Sequence, residues 1–137
     1  MDSTVDDYHH YFRMLLNHGM HGTQRILSRR AVELMTTNRL TPEQLAAREA
    51  WGRNAVHLAY GLGQHGGWGF GMAVRTYRSD YAPVGQFGWD GGSGTTTYAD
   101  PHNQLVGILL TQTGMSTPDS ARANLDFWTT LYQAIDD

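Results

Sequence analysis

The sequence contains no cysteine and no lysine. Without cysteine the chain can form no disulfide, no zinc site built on thiolates and no cysteine nucleophile, and a reducing compartment is allowed. Without lysine, all ten positive side chains are arginines, against thirteen aspartates and glutamates. The formal net charge of −3 supplies no general attraction for nucleic acid or for an anionic membrane surface. We therefore expect neither nucleic acid nor a membrane as a partner.

Long apolar segments are also missing. No run approaches the length of about 20 apolar residues that a membrane-spanning helix needs. The N-terminal residues 1–7 are acidic and polar, unlike a secretory signal peptide, in which a basic segment precedes an apolar one. On this basis we expect a cytoplasmic protein. Its length of 137 residues is that of one domain with a modest core.

The first part of the chain, residues 1–59, is predicted to be mainly helical. Apolar residues at helical spacing follow capping signals at three places, which begin at Thr4, Ser28 and Thr41. The predicted helices end near residues 17–19, 37 and 51–52. Residues 19–24, between the first two helices, are expected to be a loop.

Residues 60–116 have the pattern of short antiparallel strands after a glycine-rich start. Side chains alternate over residues 68–75, which predicts one strand with Trp68 and Phe70 on its core face. Further strands are predicted at residues 86–89, 95–98 and 104–111. Residues 105–110 are apolar on both faces, which favours a central position in the sheet.

Thr117-Pro118-Asp119 is typical of a helix start and predicts a closing helix over residues 117–137. Its apolar residues fall on one side, which should lie across the sheet. These residues are Leu125, Trp128, Leu131, Tyr132 and Ile135. Helices, an antiparallel meander and a covering C-terminal helix make an α+β fold, predicted as a single partial domain over residues 1–137.

Several segments carry a family resemblance through their order and spacing. They are Ser3–Tyr8, Arg25–Ser28, Met35–Asn38, Gly67–Val74, Phe87–Gly92, Asp100-Pro101 and Ile108–Gln112. Together they resemble the C-terminal part of the β-lactamase-related serine hydrolases, the group of class C β-lactamases, D-amino acid peptidases and family VIII carboxylesterases. The resemblance covers nearly the whole chain. It implies a partial β-lactamase/transpeptidase-like fold.

The resemblance also implies serine-dependent acyl hydrolysis without a cofactor or metal. The Ser-x-x-Lys nucleophile element and the tyrosine element of this family have no counterpart in the chain, so no catalytic nucleophile or base is assigned. Acyl transfer needs an activated hydroxyl, and a serine without a positioned base is a weak nucleophile. We therefore expect a truncated, esterase-like hydrolase fragment that is inactive alone.

Trp89-Asp90-Gly91 resembles the third motif of the family, Lys-Thr-Gly or its His-x-Gly and Trp-x-Gly variants, which lines the site along a strand. The resemblance implies a substrate-binding wall of Trp89, Asp90, Gly91 and Gly92. Its oxyanion donor would be the amide of Gly92, or of Gly91 if the register shifts by one. Tryptophan in place of lysine favours uncharged acyl substrates. The alternative to a substrate-binding wall is a purely structural glycine-rich strand and turn, with Trp89 in the core.

Other candidate catalytic and metal-binding residues are weaker. Ser93 lacks the last glycine of the Gly-x-Ser-x-Gly elbow and its strand-to-helix context, so a turn serine is favoured. His65, between glycine-rich segments, is interpreted as a loop residue. The remaining histidines considered are His9, His10, His18 and His21, which have no acidic partner at metal-ligand spacing.

Two functions from different classes remain open. In the family's fold, the strand that resembles Gln104–Thr111 pairs with an N-terminal strand that has no counterpart here. Its hydrogen-bonding edge and apolar faces would then be exposed, which favours aggregation, self-association or a complementing N-terminal hydrolase half. The alternative is a non-catalytic interaction module or the remnant of a disrupted gene.

Overall fold

The computed structural model describes residues 3–54, 66–114 and 122–135. Its helices are α1 Val5–Leu16, α2 Arg29–Met35, α3 Pro42–Asn54 and α4 Arg122–Gln133. Its strands are β1 Met20–His21, β2 Gln24–Arg25, β3 Gly66–Trp68, β4 Ala73–Arg75, β5 Phe87–Asp90, β6 Thr96–Asp100 and β7 Leu105–Leu109. Strands β3 to β7 form one sheet in chain order, each antiparallel to the next. The predicted α+β fold with an antiparallel meander is confirmed.

Side-chain caps confirm the three predicted helix starts. The hydroxyl of Thr4 accepts from the backbone N–H of Asp7 at 3.2 Å, and the Asp7 carboxylate accepts from the Thr4 N–H at 3.3 Å. The Ser28 hydroxyl accepts from the backbone N–H of Ala31 at the start of α2, and Thr41 exchanges bonds with Gln44 at α3. Each cap satisfies a backbone donor that the first helical turn leaves without a partner. None of these described helices is long and apolar enough to cross a bilayer.

The predicted loop at residues 19–24 is wrong, because β1 and β2 pair there as a short hairpin. Gly19 and Gly22 adopt left-handed backbone angles, with φ of 90° and 56°. A side chain at Gly19 would meet the carbonyl of Leu27. Glycine therefore allows the chain to leave α1 and reverse within a few residues. The start of the predicted closing helix, residues 117–119, lies outside the described residues, as does His65.

The single strand predicted over residues 68–75 is also wrong. Strand β3 ends at Trp68 and pairs with β4 in a hairpin whose turn contains Gly71, with φ of 81°. Phe70 lies in this turn and is 56% exposed, instead of in the core. The turn has four residues, so Trp68 pairs with Ala73 and Gly67 pairs with Val74. Because paired residues of antiparallel strands lie on the same face, Trp68 and Val74 lie on opposite faces of the sheet, although apolar residues alternate from one to the other in the sequence.

One face of the sheet is covered by α1. Phe12 stacks on Phe87 of β5 at 6.1 Å between ring centroids. Around this pair is a cluster of further buried apolar residues, namely Met14, Leu15, Leu16, Val32, Met72, Val74 and Ala99. The apolar face of α1 thus supplies four of the nine buried residues of the main core.

The other face is covered by α4, which lies across the sheet as predicted. Trp128 is 5% exposed, and its ring meets that of Tyr98 edge-on at 5.5 Å. The indole N–H of Trp128 donates to the Thr96 hydroxyl at 2.9 Å. Leu125, predicted on the buried side of this helix, is 49% exposed. Helix α4 therefore packs against the sheet through the side that carries Trp128.

A buried polar chain joins α4 to the sheet. The amide of Gln86 donates to the Tyr132 hydroxyl at 3.1 Å, and that hydroxyl donates to the Asp100 carboxylate at 3.0 Å. Burial, and then the charge of Asp100, raise the pKa of Tyr132 above its ordinary range. Tyr132 therefore stays protonated and serves as a donor.

Strand β7 lies at an edge of the sheet in the described part of the chain, so the predicted central position is wrong. Its residues are apolar on both faces because α1 packs on one face and α4 on the other. Two covered faces give the sequence pattern of a central strand even though one hydrogen-bonding edge has no partner strand. The apolar pattern of β7 indicates that both of its faces are buried. It does not indicate whether the hydrogen-bonding edge of the strand is paired.

We expect Gly107→Ala to lower the free energy of unfolding by about 1–3 kcal/mol, because it overpacks the contact between β7 and α4. A Cβ at this position would lie 2.6 Å from Cζ3 of Trp128 and 2.8 Å from Cδ2 of Leu131. Urea unfolding followed by circular dichroism measures the effect. Gly114→Ala, whose Cβ meets nothing within 4 Å, is the matched control. Equal stability of the two variants would refute this packing.

Candidate active-site wall

Residues Trp89–Gly92, here called the wall, run from β5 into the tip of the β5–β6 hairpin. Trp89 pairs with Thr97 across the two strands. At the tip, the N–H of Gly91 donates to the Thr95 carbonyl at 2.7 Å, and the N–H of Gly94 donates to the Gly91 carbonyl at 2.9 Å. These bonds hold the backbone of the tip in one geometry.

The tip distinguishes the two candidate oxyanion donors. The amide of Gly91 is committed to Thr95, so it is not available to a ligand in this geometry. Within the described residues, the amide of Gly92 donates no hydrogen bond. A Cβ built at Gly92 would meet nothing within 4 Å. Of the two amides, only that of Gly92 has no acceptor among the described residues.

Trp89 is 45% exposed, so the alternative in which it is a core aromatic is wrong. Its ring lies edge-on to that of Trp68 at 4.7 Å. Strand β4 pairs with β5 only at Phe87 and Gly88. Trp89 therefore extends past the end of the paired segment of β4 and presents an indole surface to solvent.

Asp90 is 8% exposed and faces the opposite direction from Trp89 along the strand. The hydroxyl of Tyr98 donates to its carboxylate at 2.8 Å. Gly88 makes room for this tyrosine, because a Cβ there would lie 2.7 Å from Tyr98 Cγ. Tyr98 was not among the predicted site residues, although the glycine two positions before Asp90 was a signal for it.

Arg48 of α3 was also missed by the sequence reasoning. Its guanidinium lies over the ring of Trp68, 5.1 Å from the centroid. Partial burial lowers the pKa of Arg48, and the nearby Tyr98 opposes that effect. The structure thus brings a cation to Trp68, whose ring contacts Trp89 of the wall. No local sequence signal links Arg48 to Trp68 and Trp89, which lie 20 and 41 positions later.

Among the described residues, Ser93 and the histidines do not form a catalytic or metal-binding site. Ser93 is exposed in the hairpin tip, where its carbonyl accepts from the Thr111 hydroxyl at 2.9 Å. The rings of His10 and His21 meet edge-on at 5.3 Å, and His18 follows α1. In the described ranges no three histidine, aspartate or glutamate side chains are placed to share a metal ion.

Comparison with known proteins decides the family. A family model described as Beta-lactamase matches residues 1–127, which is most of the chain. The chain belongs to the Beta-lactamase family. This membership agrees with the resemblance inferred from the order of the sequence segments.

Two relatives from Mycobacterium tuberculosis strains support this family membership. "Protein Rv1367c" and "Uncharacterized protein MT1414" are each 34% identical over 116 residues, which is 80% of this chain. The match covers 27% of each relative, so the chain spans about a quarter of their length. Their names specify no reaction.

Solved structures of simvastatin synthase (LovD) from Aspergillus terreus share the fold. The LovD9 mutant aligns with a TM-score of 0.74 at 19% identity, over 89% of this chain and 32% of that one. The unliganded selenomethionyl derivative aligns with a TM-score of 0.74 at 17% identity, over 93% and 33%. At this identity the comparison shows that this Beta-lactamase family chain has the same fold as part of LovD.

We expect Tyr98→Phe to lower the free energy of unfolding by about 1–3 kcal/mol, because it removes a buried donor to the Asp90 carboxylate. Denaturant unfolding of the purified variant measures the change. Tyr81→Phe, at an exposed tyrosine, is the control and should change stability little. If both variants unfold like the parent chain, the bond from Tyr98 to Asp90 does not support the wall.

Proposed function

We propose that the chain supplies the oxyanion wall of a Beta-lactamase family serine hydrolase that cleaves esters or related acyl compounds. The observation that carries the proposal is the amide of Gly92. It lies in the hairpin tip and has no acceptor among the described residues. A Cβ built at Gly92 would meet nothing within 4 Å, so the surroundings of this residue are open.

A fixed donor of this kind suits acyl transfer. Attack on an ester carbonyl moves negative charge onto the carbonyl oxygen, and a preorganised N–H stabilises that charge more than the ground state. Glycine permits the acyl group to approach the backbone closely. The exposed indole of Trp89 offers an apolar surface for the rest of the substrate.

The nucleophile must come from another segment. The chain contains no lysine, so it cannot provide the Ser-x-x-Lys element that the family resemblance implies. We propose that this element lies on an N-terminal hydrolase half, in the same longer polypeptide or in a second chain. On its own, the wall would then stabilise an oxyanion that no group in it can generate.

Strand β7 offers the docking edge for that half. Its residues Leu105–Leu109 include no charged residue and no proline, the usual protections of a free edge. Its two faces are already packed, so only the outer row of backbone groups is open among the described elements. An added strand would satisfy that row and extend the sheet.

The experiment is reconstitution. The purified chain is assayed for hydrolysis of 4-nitrophenyl butyrate alone and after co-expression with the part of Protein Rv1367c that lies outside the matched region. We expect hydrolysis and fluorophosphonate labelling only in the co-expressed complex, with the label on the partner. Labelling of this chain alone would contradict the proposal. So would a stable complex without hydrolysis, which would favour a non-catalytic interaction module.

A further inference from the structure

The tip of the β5–β6 hairpin, which carries Gly92, is tied to the segment that follows β7. The hydroxyl of Thr111 donates to the Ser93 carbonyl at 2.9 Å. We propose that Thr111 is a positioning residue, which sets the orientation of the Gly92 N–H through two consecutive hydrogen-bonded peptide groups. The inference rests on the proposed function, to which it adds a residue outside the wall.

Two hydrogen bonds in series connect Thr111 to Gly92. The Ser93 carbonyl, which accepts from Thr111, and the Gly94 N–H belong to one peptide group, and this N–H donates to the Gly91 carbonyl at 2.9 Å. The Gly91 carbonyl shares the next peptide group with the Gly92 N–H. A peptide group is planar, and a donor prefers to lie near the plane of the carbonyl that it meets. Each bond therefore restrains a whole plane, and the second plane contains the Gly92 N–H.

The same series of bonds strengthens the last donor. Hydrogen bonds in a chain polarise one another, so a peptide group whose carbonyl accepts a bond has a better N–H donor. The bond from Thr111 acts in this way on the Gly94 N–H, and the bond from Gly94 acts on the Gly92 N–H. A stronger donor at Gly92 favours the transition state, in which the acyl oxygen is most negative.

Thr111 is itself anchored at its backbone. Its carbonyl accepts from the Thr95 hydroxyl at 3.3 Å, and its N–H donates to the same oxygen at 3.4 Å. Gly94 permits this close approach, because a Cβ there would meet the Thr111 hydroxyl and lie 2.6 Å from the Thr113 carbonyl oxygen. Thr111 is also partly buried and β-branched, which restricts its side chain. The donor to Ser93 is therefore held in place before any substrate binds.

The first test measures the Gly92 amide in the chain itself. Thr111→Val replaces the hydroxyl by a methyl group and keeps the β-branch. We expect the ¹⁵N order parameter of the Gly92 N–H to fall from about 0.85, typical of rigid backbone, to about 0.6. Thr111→Ala, which removes the hydroxyl without adding a methyl group, should show the same fall. Thr111→Ser keeps the hydroxyl and should retain the parent value.

Thr113→Val is the matched control, because it makes the same chemical change two residues away. Thr113 is exposed, and its hydroxyl has no hydrogen-bond partner among the described residues. Its substitution should leave the Gly92 order parameter unchanged. An unchanged value in both Thr111→Val and Thr111→Ala would overturn the inference. So would an equal fall in Thr113→Val or in Thr111→Ser, because the loss would then not depend on the Thr111 hydroxyl.

The second test uses the reconstituted hydrolase. Thr111→Val should lower kcat for 4-nitrophenyl butyrate about tenfold and change KM by less than about twofold, because the donor is present but poorly oriented. Thr111→Ser should restore most of kcat, and Thr113→Val should match the parent. A change in KM alone would contradict a role in orienting the oxyanion donor.

The two measurements separate this inference from the proposed function. If the function is wrong and the inference is right, the Gly92 order parameter falls in Thr111→Val, but neither complex hydrolyses the ester. If the function is right and the inference is wrong, the complexes of the parent and of Thr111→Val hydrolyse the ester with the same kcat. If both are right, the order parameter and kcat fall together and Thr111→Ser restores both.

Discussion

Replacing Trp128 with alanine is expected to lower the free energy of unfolding by about 3–5 kcal/mol. The side chain is almost fully buried between α4 and the sheet, against Tyr98 and the bare backbone of Gly107. Its removal leaves a cavity and also deprives the Thr96 hydroxyl of its indole donor. Since domains of this size are stable by about 5–15 kcal/mol, the variant should be close to unfolding.

Two further variants define the cause of this effect. Trp128→Phe keeps most of the packing and removes the indole N–H, so it should cost markedly less than alanine. Tyr81→Ala removes an aromatic side chain that is exposed, and we expect a change of about 0.5 kcal/mol or less. Guanidinium unfolding followed by tryptophan fluorescence and circular dichroism compares the three variants. A loss in Trp128→Ala no larger than that in Tyr81→Ala would mean that α4 does not depend on this side chain.

In the reconstituted hydrolase, Gly92→Pro should reduce kcat by about 10²–10³-fold. Proline has no backbone N–H, so the substitution removes the proposed oxyanion donor without changing the charge of the site. The effect should fall on kcat more than on KM, because the bond strengthens as charge develops in the transition state. Steady-state hydrolysis of 4-nitrophenyl butyrate measures both constants.

The control is Gly92→Ala, which retains the N–H and adds a methyl group where nothing lies within 4 Å. Its kcat should stay well above that of Gly92→Pro, because the N–H donor is still present. Denaturant unfolding of both variants shows whether proline disturbs the hairpin tip. If Gly92→Pro is as stable as Gly92→Ala and retains more than about one tenth of its kcat, the amide of Gly92 is not the oxyanion donor.

The helix starts could be predicted because they depend on hydrogen bonds within the first helical turn. Thr4 and Asp7 lie three residues apart, and their reciprocal bonds require only the first turn of α1. The strands around Trp89 and Tyr98 were also predictable, since alternating side chains and short polar turns determine a meander from neighbouring residues alone. The order of these segments was enough to suggest the family that the comparison then showed.

The wrong predictions concern features that depend on residues distant in the sequence. Phe70 was expected in the core because apolar residues alternate in the sequence from Trp68 to Val74, whereas the chain reverses between Trp68 and Ala73. Strand β7 was expected at the centre because two helices from opposite ends of the chain cover its faces. In both cases the pattern of apolar residues in the sequence is compatible with more than one backbone arrangement.

The amino-acid sequence by itself determined where the three capped helices begin and that the region around Trp89 and Tyr98 forms strands. It also showed that the chain has no lysine for the nucleophile element, and it located the candidate wall at Trp89–Gly92. Only the tertiary structure decided that Trp89 is exposed, that Gly91 rather than Gly92 is engaged by Thr95, and that Arg48 lies on Trp68. Capping and alternation depend on bonds and side chains within a few residues. Exposure and the meeting of α3 with β3 depend on how distant segments pack, which no short stretch of sequence encodes.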